Sequence, residues 1–254
     1  MSRFFVDETA VKGGMIEITD RDDLKHLSKV LRLAAGDEID VSDSREYEYR
    51  VKLTEVTAEK AAGHIIDKQK FAREPETLVT LYQGIPKQGK MEEIIQKSIE
   101  LGVNRIVPVF TERTVVKDTG GLEKKVQRWR KVASETVKQC RRGIIPEVSE
   151  PLTFIQLTEE LKKPCYDAVL LLYEEEDKST IKDGLKDAVN GTVGYGFKVR
   201  TTALIVGPEG GFSKEEAEQL QLSGAESVSL GVAILRTETA GPAAIAMVMY
   251  ELEL

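Results

Sequence analysis

Two short segments near the carboxyl end of the chain carry the residues that could do chemistry. One is L-I-V-G-P-E-G-G-F-S-K-E-E at 204–216, and the other is S-L-G-V-A-I-L-R-T-E-T-A at 229–240. In each segment a short apolar strand runs into a glycine-bearing loop that begins a helix. Glycine permits backbone geometry and close approaches that a Cβ atom would prevent. Two such loops so close together predict one pocket lined by backbone amides and carbonyls.

The first loop is predicted to bind a ligand with cationic or neutral polar groups. Helix N-termini bind anions, so a phosphate loop is the nearest alternative. No G-K-[ST] follows the glycines, however, and Glu209 would repel a phosphate. A further alternative is a tight turn between a strand and a helix, without a ligand. Ser213 and Glu216 form a capping box, which marks the start of that helix.

The second loop is predicted to lie just before the last helix, which should run from about 239 to 252. Ile234 and Leu235 are apolar, are expected to be buried and could form a wall against a base or ring. Arg236 beside this wall could hold a polyanion or orient a reacting base. The alternative is that Thr237 or Thr239 only caps the helix, with Arg236 in solvent.

These loops must be positioned by the surrounding strands and helices, whose predicted order changes near residue 73. Before it, short strands and one helix predict a small β-barrel-like domain. After it, strands alternate with helices, which implies a mostly parallel sheet covered on both faces. In such sheets ligands bind beyond the carboxyl ends of the strands, where both glycine loops fall. The strands predicted after residue 73 are 78–83, 105–110, 145–148, 168–173, 203–207 and 227–230.

Composition is that of a globular protein of 254 residues, with a formal net charge of −7. No apolar run approaches the roughly 20 residues that span a bilayer, and the start of the chain lacks the layout of a secretion signal. Cys140 and Cys165 have no metal-type spacing. We therefore expect a cytoplasmic protein with reduced thiols, no metal site and no membrane partner.

Charge is distributed unevenly along the chain. Residues 84–145 carry 14 Lys or Arg against 7 Asp or Glu, whereas residues 146–254 carry 9 against 19. A basic segment between acidic flanks is typical of a protein that binds a polyanion, although a solvated charged helix would give the same pattern. His26, Lys29 and Arg32 could form a second basic stripe, and the alternative for His26 is a structural role.

Seven motifs spread over the chain resemble those of one family. They are H-x-x-x-V-L-R at 26–32, I-I-Q-K-S-I-E-L-G-V at 94–103, T-E-R-T-V-V-K at 111–117, Q-C-x-R at 139–142, Y-E-E at 173–175, G-P-E-G-G at 207–211 and L-R-T-E-T-A at 235–240. Together they are similar to the small-subunit ribosomal RNA uridine N3-methyltransferases (the RsmE family) of the SPOUT superfamily. The resemblance covers essentially the whole chain.

The resemblance implies a PUA-like RNA-binding β-barrel at 1–72. At 73–254 it implies an α/β SPOUT methyltransferase domain with a mostly parallel sheet and a C-terminal trefoil knot. It further implies S-adenosylmethionine as cofactor, small-subunit ribosomal RNA or the assembled small subunit as partner, and a homodimer. The implied cofactor-binding residues are Leu172, Val206, Gly207, Pro208, Glu209, Gly210, Gly211, Leu230, Gly231, Ile234, Leu235, Arg236 and Thr237. The implied RNA-binding residues are His26, Arg32, Arg113, Lys117, Arg141 and Arg142.

The reaction predicted from this resemblance is methyl transfer to N3 of a uridine. The enzyme must orient the reactants and allow N3 to lose its proton. Arg236, Glu238 and Arg142 are the predicted catalytic residues. Arg236 would stabilise the developing uridine anion, and Glu238 would accept the proton or support the knot through hydrogen bonds. Arg142 would lie near the substrate phosphate or base.

The chain departs from the family pattern at four positions, which here are Lys138, Gly143, Val232 and Ala233. The family usually has L-G-P-R before the final loop, so one expected contact to RNA or cofactor is missing. The alternative functions are a SPOUT methyltransferase that modifies another RNA position, including one in transfer RNA, and a noncatalytic RNA-binding homologue. Both glycine loops are intact, which favours the enzyme.

Overall fold

The computed structural model describes residues 3–71, 74–87, 89–115, 121–190 and 198–253. The chain divides into two compact units. The first contains the residues up to Glu74 together with Val137–Ile145, and the second contains Pro75–Thr136 and the residues from Pro146 onward. No sequence pattern indicated that Val137–Ile145 would join the first unit. The predicted domain boundary between residues 72 and 73 stays a prediction.

The first unit is built on one six-stranded sheet. Its strands are β1 (Arg3–Phe5), β2 (Val11–Lys12), β3 (Met15–Ile18), β4 (Glu38–Ser42), β5 (Tyr47–Val56) and β6 (Ala61–Lys70). They lie in the order β1-β4-β5-β6-β3-β2 and pair antiparallel, except for the parallel pair β1–β4. Alternate residues of β3 are buried, as a sheet with one covered face requires.

The one helix predicted for the first unit is present but is interrupted early. Helix α1 (Arg21–Lys25) is followed by a π-helical turn at His26–Val30. The Ser28 hydroxyl donates a 2.7 Å hydrogen bond to the carbonyl of Leu24, a back-bond that bends helices. Arg32 then has a φ of 54°, in the left-handed region that ends helical geometry.

The second unit alternates strands and helices, as predicted. Its strands are β7 (Leu78–Gly84), β8 (Arg105–Phe110), β9 (Glu147–Val148), β10 (Leu152–Thr153), β11 (Ala168–Leu172), β12 (Thr201–Val206) and β13 (Glu226–Val228). Its helices are α2 (Lys90–Glu100), α3 (Leu122–Cys140), α4 (Phe154–Leu161), α5 (Ile181–Asn190), α6 (Lys214–Leu222) and α7 (Thr237–Glu253). The last turn of α3 belongs to the first unit.

The sheet of the second unit is parallel throughout its described pairs. The order is β10-β8-β7-β12-β11-β13, and β9 also pairs with β8. Strands β7 and β12 are buried over nearly their whole length, because helices cover both faces of such a sheet. The carboxyl ends of β12, β11 and β13 therefore lie side by side at one edge.

The last helix corrects one expectation. It begins at Thr237, two residues earlier than predicted. Thr237, Glu238 and Thr239 therefore form its first turn rather than the loop before it, and their side chains are held by helical geometry. Among the described residues, no helix is long and apolar enough to cross a membrane.

Candidate functional site

A cavity of about 640 Å³ lies at the carboxyl edge of the parallel sheet. Its walls come from the residues that follow β11, β12 and β13 and from the first turn of α7. Tyr173 N–H donates to the carbonyl of Val228 at 3.3 Å, and Ser229 N–H donates to that of Ser179 at 2.8 Å. These backbone hydrogen bonds continue the strand pairing past the ends of β11 and β13, so they hold the segments that form the cavity walls side by side. A volume of several hundred Å³ is typical of small-molecule sites.

The first glycine loop is a tight turn at residues 208–211. Gly211 N–H donates to the carbonyl of Pro208 at 2.9 Å, and Gly211 has a φ of 67°, which favours glycine. Gly84 at the end of β7 packs against this turn. A Cβ atom at Gly84 would lie 2.5 Å from Cδ of Pro208 and 2.6 Å from its nitrogen. The close approach of β7 and the turn therefore depends on glycine.

A buried hydrogen-bond network joins the first loop to the start of α7. The Thr237 hydroxyl donates to the carbonyl of Gly207 at 2.7 Å. It accepts a 2.9 Å hydrogen bond from Nε2 of Gln83, which also donates to the carbonyl of Gly84 at 3.0 Å. Gln83 is fully buried and Thr237 is 6% exposed. Because buried polar groups need partners, this network holds the two loops at a set spacing.

A charged cluster in the cavity wall joins the same loops. Nζ of Lys90 lies 3.2 Å from a carboxylate oxygen of Glu209 and 3.2 Å from one of Glu238. The Glu209 carboxylate also accepts a 3.0 Å hydrogen bond from the backbone N–H of Lys87. Glu209 is thus bound to the β7–α2 loop and to α2, rather than unpaired in the cavity as a counter-charge for a ligand.

Both carboxylates of this cluster are held ionised. The pKa of Glu238 lies below its ordinary value, first because the carboxylate accepts a hydrogen bond from its own backbone N–H and then because Lys90 lies beside it. Burial acts to raise the pKa of Glu209, but the backbone N–H groups of Glu209 and Lys87 and the Lys90 ammonium outweigh it and lower the pKa. The hydrogen bond to Glu238 raises the pKa of Lys90 in turn. At neutral pH the Lys90 ammonium therefore faces both carboxylates, and Arg236 adds a smaller attraction for Glu238.

Nearly all the predicted cofactor-binding residues line this one cavity. They are Leu172, Val206, Gly207, Pro208, Glu209, Gly211, Leu230, Gly231, Ile234, Leu235, Arg236 and Thr237. Gly210 is the exception, and its carbonyl accepts a 2.7 Å hydrogen bond from the Arg113 guanidinium. The expected burial of Ile234 is wrong, because this side chain stands exposed in the wall, and Leu235 is half-buried. Of the predicted catalytic residues, Arg236 and Glu238 also line the cavity. Their binding and catalytic roles stay predictions.

Arg142 has a different environment. It is 7% exposed, and its guanidinium is paired with the Glu74 carboxylate at 2.8 Å. The same carboxylate accepts hydrogen bonds from the N–H groups of Gly143 and Ile144. Arg142 belongs to the first unit and is not among the cavity-lining residues. Its predicted catalytic role stays a prediction.

The other predicted RNA-binding residues lie on exposed surface where the structure describes them. His26 is exposed, with its ring edge-on to Phe4 at 6.0 Å between centroids. Arg32 and Arg141 are exposed and have φ values of 54° and 61°, an uncommon conformation for residues other than glycine. Arg113 is exposed as well. The remaining predicted residue, Lys117, lies outside the described residues.

Sequence reasoning missed several cavity-lining residues. These are Lys90, Tyr173, Glu174, Glu176, Asp177, Thr180, Val228, Ser229, Val232, Ala233 and Ala240. Those at 173–180 follow β11, so the rule that ligands bind beyond the carboxyl ends of parallel strands could have found them. Lys90 had no such signal, because nothing in the sequence pairs α2 with the two loops.

Comparison with known proteins places both parts of the chain in one enzyme family. Residues 73–249 match the RNA methyltransferase domain family, and residues 18–66 match the RNA methyltransferase PUA domain family. The first unit therefore contains a PUA-like domain, and the mixed α/β second unit with its mostly parallel sheet contains the methyltransferase domain.

Individual relatives match over nearly their full length. The chain is similar to ribosomal RNA small subunit methyltransferase E of Bacillus subtilis (strain 168), with 32% identity over 100% of the chain and 98% of the relative. Identity to the protein of the same name from Mesomycoplasma hyopneumoniae (strain 232) is 33%, over 94% and 95%. The crystal structure of ribosomal RNA small subunit methyltransferase E from Neisseria gonorrhoeae bound to S-adenosyl methionine gives a TM-score of 0.79 at 28% identity, over 99% and 98%.

Proposed function

We propose a function from the premise that this chain belongs to the ribosomal RNA small subunit methyltransferase E family. It is a methyltransferase that uses S-adenosylmethionine and acts on small-subunit ribosomal RNA, and the atom it methylates is N3 of a uridine. The observation that carries the proposal is the cavity at the carboxyl edge of the parallel sheet, which both glycine loops line.

The residues present fit S-adenosylmethionine. The walls of the cavity combine the backbone of the 207–211 turn with apolar side chains such as Leu172, Ile234 and Leu235. Ile234 is 84% exposed, which leaves an apolar surface open for a planar ring. When bound, the cofactor supplies an electrophilic methyl group on a positively charged sulfur. The backbone groups of residues 207–211 and 234–237 would hold it.

Two side chains of the cavity are proposed to act on the uridine. Arg236 is exposed in the cavity wall, and its guanidinium would stabilise negative charge that develops on the base as N3 loses its proton. Glu238 is ionised and faces the same cavity, so its carboxylate would accept a hydrogen bond from N3–H and then the proton. Its lowered pKa makes it a weak base, and the electrostatic action of Arg236 is the larger contribution.

RNA is proposed to contact both units. The exposed basic residues His26, Arg32 and Arg141 lie in the PUA-containing unit, and Arg113 lies beside the glycine turn of the other unit. Phosphate groups are the natural partners of such exposed cations. Arg142, bound to Glu74, is proposed to hold the turn that presents Arg141 and to reach the RNA only after that ion pair opens.

The finer features of the family are proposed for this chain as well. They are a trefoil knot in the C-terminal region, a homodimer, an RNA-binding β-barrel at 1–72, a catalytic domain at 73–254 and a cytoplasmic location. The path of the chain supports the knot: after the edge strand β13, it returns so that α7 packs on α2 and against β12.

Mass spectrometry of ribosomal RNA from a deletion strain tests the proposal. We expect one 3-methyluridine in small-subunit RNA to disappear and to return with the wild-type gene. Loss of a methyl group from transfer RNA or from another position would instead support the alternative SPOUT activity. No change, with no S-adenosylmethionine binding in calorimetry, would support a noncatalytic homologue.

The variant Arg236→Ala tests the role of the guanidinium. Because Arg236 is proposed to stabilise the base as it reacts, turnover should fall by about a hundredfold or more, as it does when one group that stabilises the transition state is removed. The affinity for S-adenosylmethionine should change little. Equal losses in turnover and affinity would place Arg236 in the cofactor-binding wall alone.

A further inference from the structure

Lys90 lies at a position where one side chain touches both cavity loops. It is the first residue of α2, and Nζ lies 3.2 Å from Glu209 in the first loop and 3.2 Å from Glu238 in the first turn of α7. The two carboxylate oxygens that contact Nζ are therefore no more than twice 3.2 Å apart. About a third of the Lys90 side chain is exposed, against 12% for Glu238, so the ion pairs are partly shielded from water.

The charges of the cluster require a cation at this point. Glu209 and Glu238 both have lowered pKa values and stay ionised at neutral pH. Without Lys90 the two anions would face each other across the cavity wall. Like charges at this separation repel, and one of them would take up a proton or move away. If a carboxylate moves away, the loop that carries it moves with it and the spacing of the two loops changes.

The buried Gln83–Thr237–Gly207 network cannot compensate for such a change. It joins the loops from within the protein, whereas Lys90 joins them at the cavity surface. The network contains no charge that could balance Glu209 or Glu238. The two connections therefore act at different points of the same wall.

We propose that Lys90 is a positioning residue, which holds the 207–211 turn and the start of α7 at the spacing required to bind S-adenosylmethionine. This inference rests on the proposed function, since it concerns the cofactor of the same cavity. Lys90 acts through Glu209 and Glu238, and no contact of its own with a reacting atom is part of the proposal.

Whether ligand affinity falls or rises when Lys90 is removed distinguishes a positioning role from direct electrostatic repulsion of the cofactor. The sulfonium of S-adenosylmethionine is positively charged, so removing a nearby cation would by itself tighten its binding. If Lys90 positions the loops, its loss weakens binding instead. S-Adenosylhomocysteine, which is neutral at sulfur, should then lose affinity by at least the same factor as S-adenosylmethionine.

The experiment measures the affinity of both ligands by calorimetry for wild type, Lys90→Met, Lys90→Arg and a matched control, Lys97→Met. Lys97 lies on the same helix and pairs only with Glu93 among its described ion pairs, and it does not line the cavity. We expect Lys90→Met to weaken both ligands by about tenfold, which corresponds to about 1.4 kcal/mol. Lys90→Arg should keep most of the affinity, and Lys97→Met should leave it unchanged.

A double variant distinguishes lost charge balance from lost packing. In Lys90→Met the uncompensated carboxylates cause the defect, so adding Glu238→Gln should restore part of the affinity for S-adenosylmethionine. Unchanged or tighter binding in Lys90→Met, or no recovery in the double variant, would overturn the inference. Circular dichroism confirms that each variant is folded. If wild type itself binds neither ligand, the proposed function fails instead, so the two failures are distinct.

Discussion

Replacing Thr237 by Val tests whether the buried network holds the cavity loops together. Valine has nearly the shape of threonine but lacks the hydroxyl, which donates to the Gly207 carbonyl at 2.7 Å and accepts from Gln83 at 2.9 Å. Thr237 is 6% exposed, so water cannot readily replace either partner. The substitution therefore removes two buried hydrogen bonds with little change in packing.

The expected cost follows from the two hydrogen bonds that the substitution removes. Each lost hydrogen bond contributes about 1 kcal/mol, and a buried group left unpaired costs about 1–3 kcal/mol. Gln83 Nε2 keeps its 3.0 Å bond to the Gly84 carbonyl and a longer 3.4 Å bond to the Gly207 carbonyl, so neither partner is left wholly unpaired and the cost is that of the two lost bonds. We expect the free energy of unfolding to fall by about 2 kcal/mol, which lowers Tm by about 4–8 °C for a unit of this size.

The assay is thermal unfolding with calorimetry of S-adenosylmethionine binding, and Thr237→Ser is the matched control. Serine keeps the hydroxyl and loses only a methyl group, which should cost about 0.8 kcal/mol. Because Gly207 and Thr237 both line the cavity, Thr237→Val should also bind the cofactor more weakly than Thr237→Ser. If the two variants unfold at the same temperature and bind equally, the hydroxyl does not hold the loops and the reasoning is refuted.

Two further predictions concern other parts of the structure. Gly84→Ala should lower the free energy of unfolding by about 1–3 kcal/mol in denaturant titration, since its Cβ would clash with Pro208 at 2.5 Å. The control is Gly121→Ala, whose Cβ would meet no atom within 4 Å. Equal stability of the two variants would contradict this prediction. Burial acts to raise the pKa of Asp43, but the N–H groups of Tyr47 and the two residues before it lower it overall. The stabilisation from ionised Asp43 is therefore complete above its unfolded pKa and is lost as pH falls through its lower folded pKa. Between about pH 5 and pH 2, unfolding free energies should fall more steeply for wild type than for Asp43→Asn, and parallel curves would show that Asp43 contributes nothing.

The main elements of the second unit follow from local patterns in the sequence. Strand β8 has the bounds that its run of apolar residues predicted, and the other predicted strands lie within a few residues of the observed ones. The capping box of Ser213 and Glu216 is present as predicted. Such features depend on contacts within one turn or on side-chain alternation along one strand, so residues close in sequence are sufficient to specify them.

The start of α7 could not be placed as well from the sequence. Thr237 was predicted in the loop or as a helix cap, yet its hydroxyl is bonded to Gly207 and Gln83. Gln83 lies in β7 and Gly207 directly follows β12, and both hold Thr237 inside the first helical turn. Local capping preference was overridden by hydrogen bonds that exist only because β7 and β12 are neighbours in the sheet.

By itself, the sequence determined that strands lead into two glycine loops, that those loops lie at one edge of a parallel sheet, and that they belong together. Only the tertiary structure decided which charges meet there. It placed Lys90 between Glu209 and Glu238 and buried Arg142 against Glu74. The reason is physical: secondary structure depends on sterics and hydrogen bonds between near neighbours in the chain. An ion pair depends on the distance between two side chains, and strand order sets that distance.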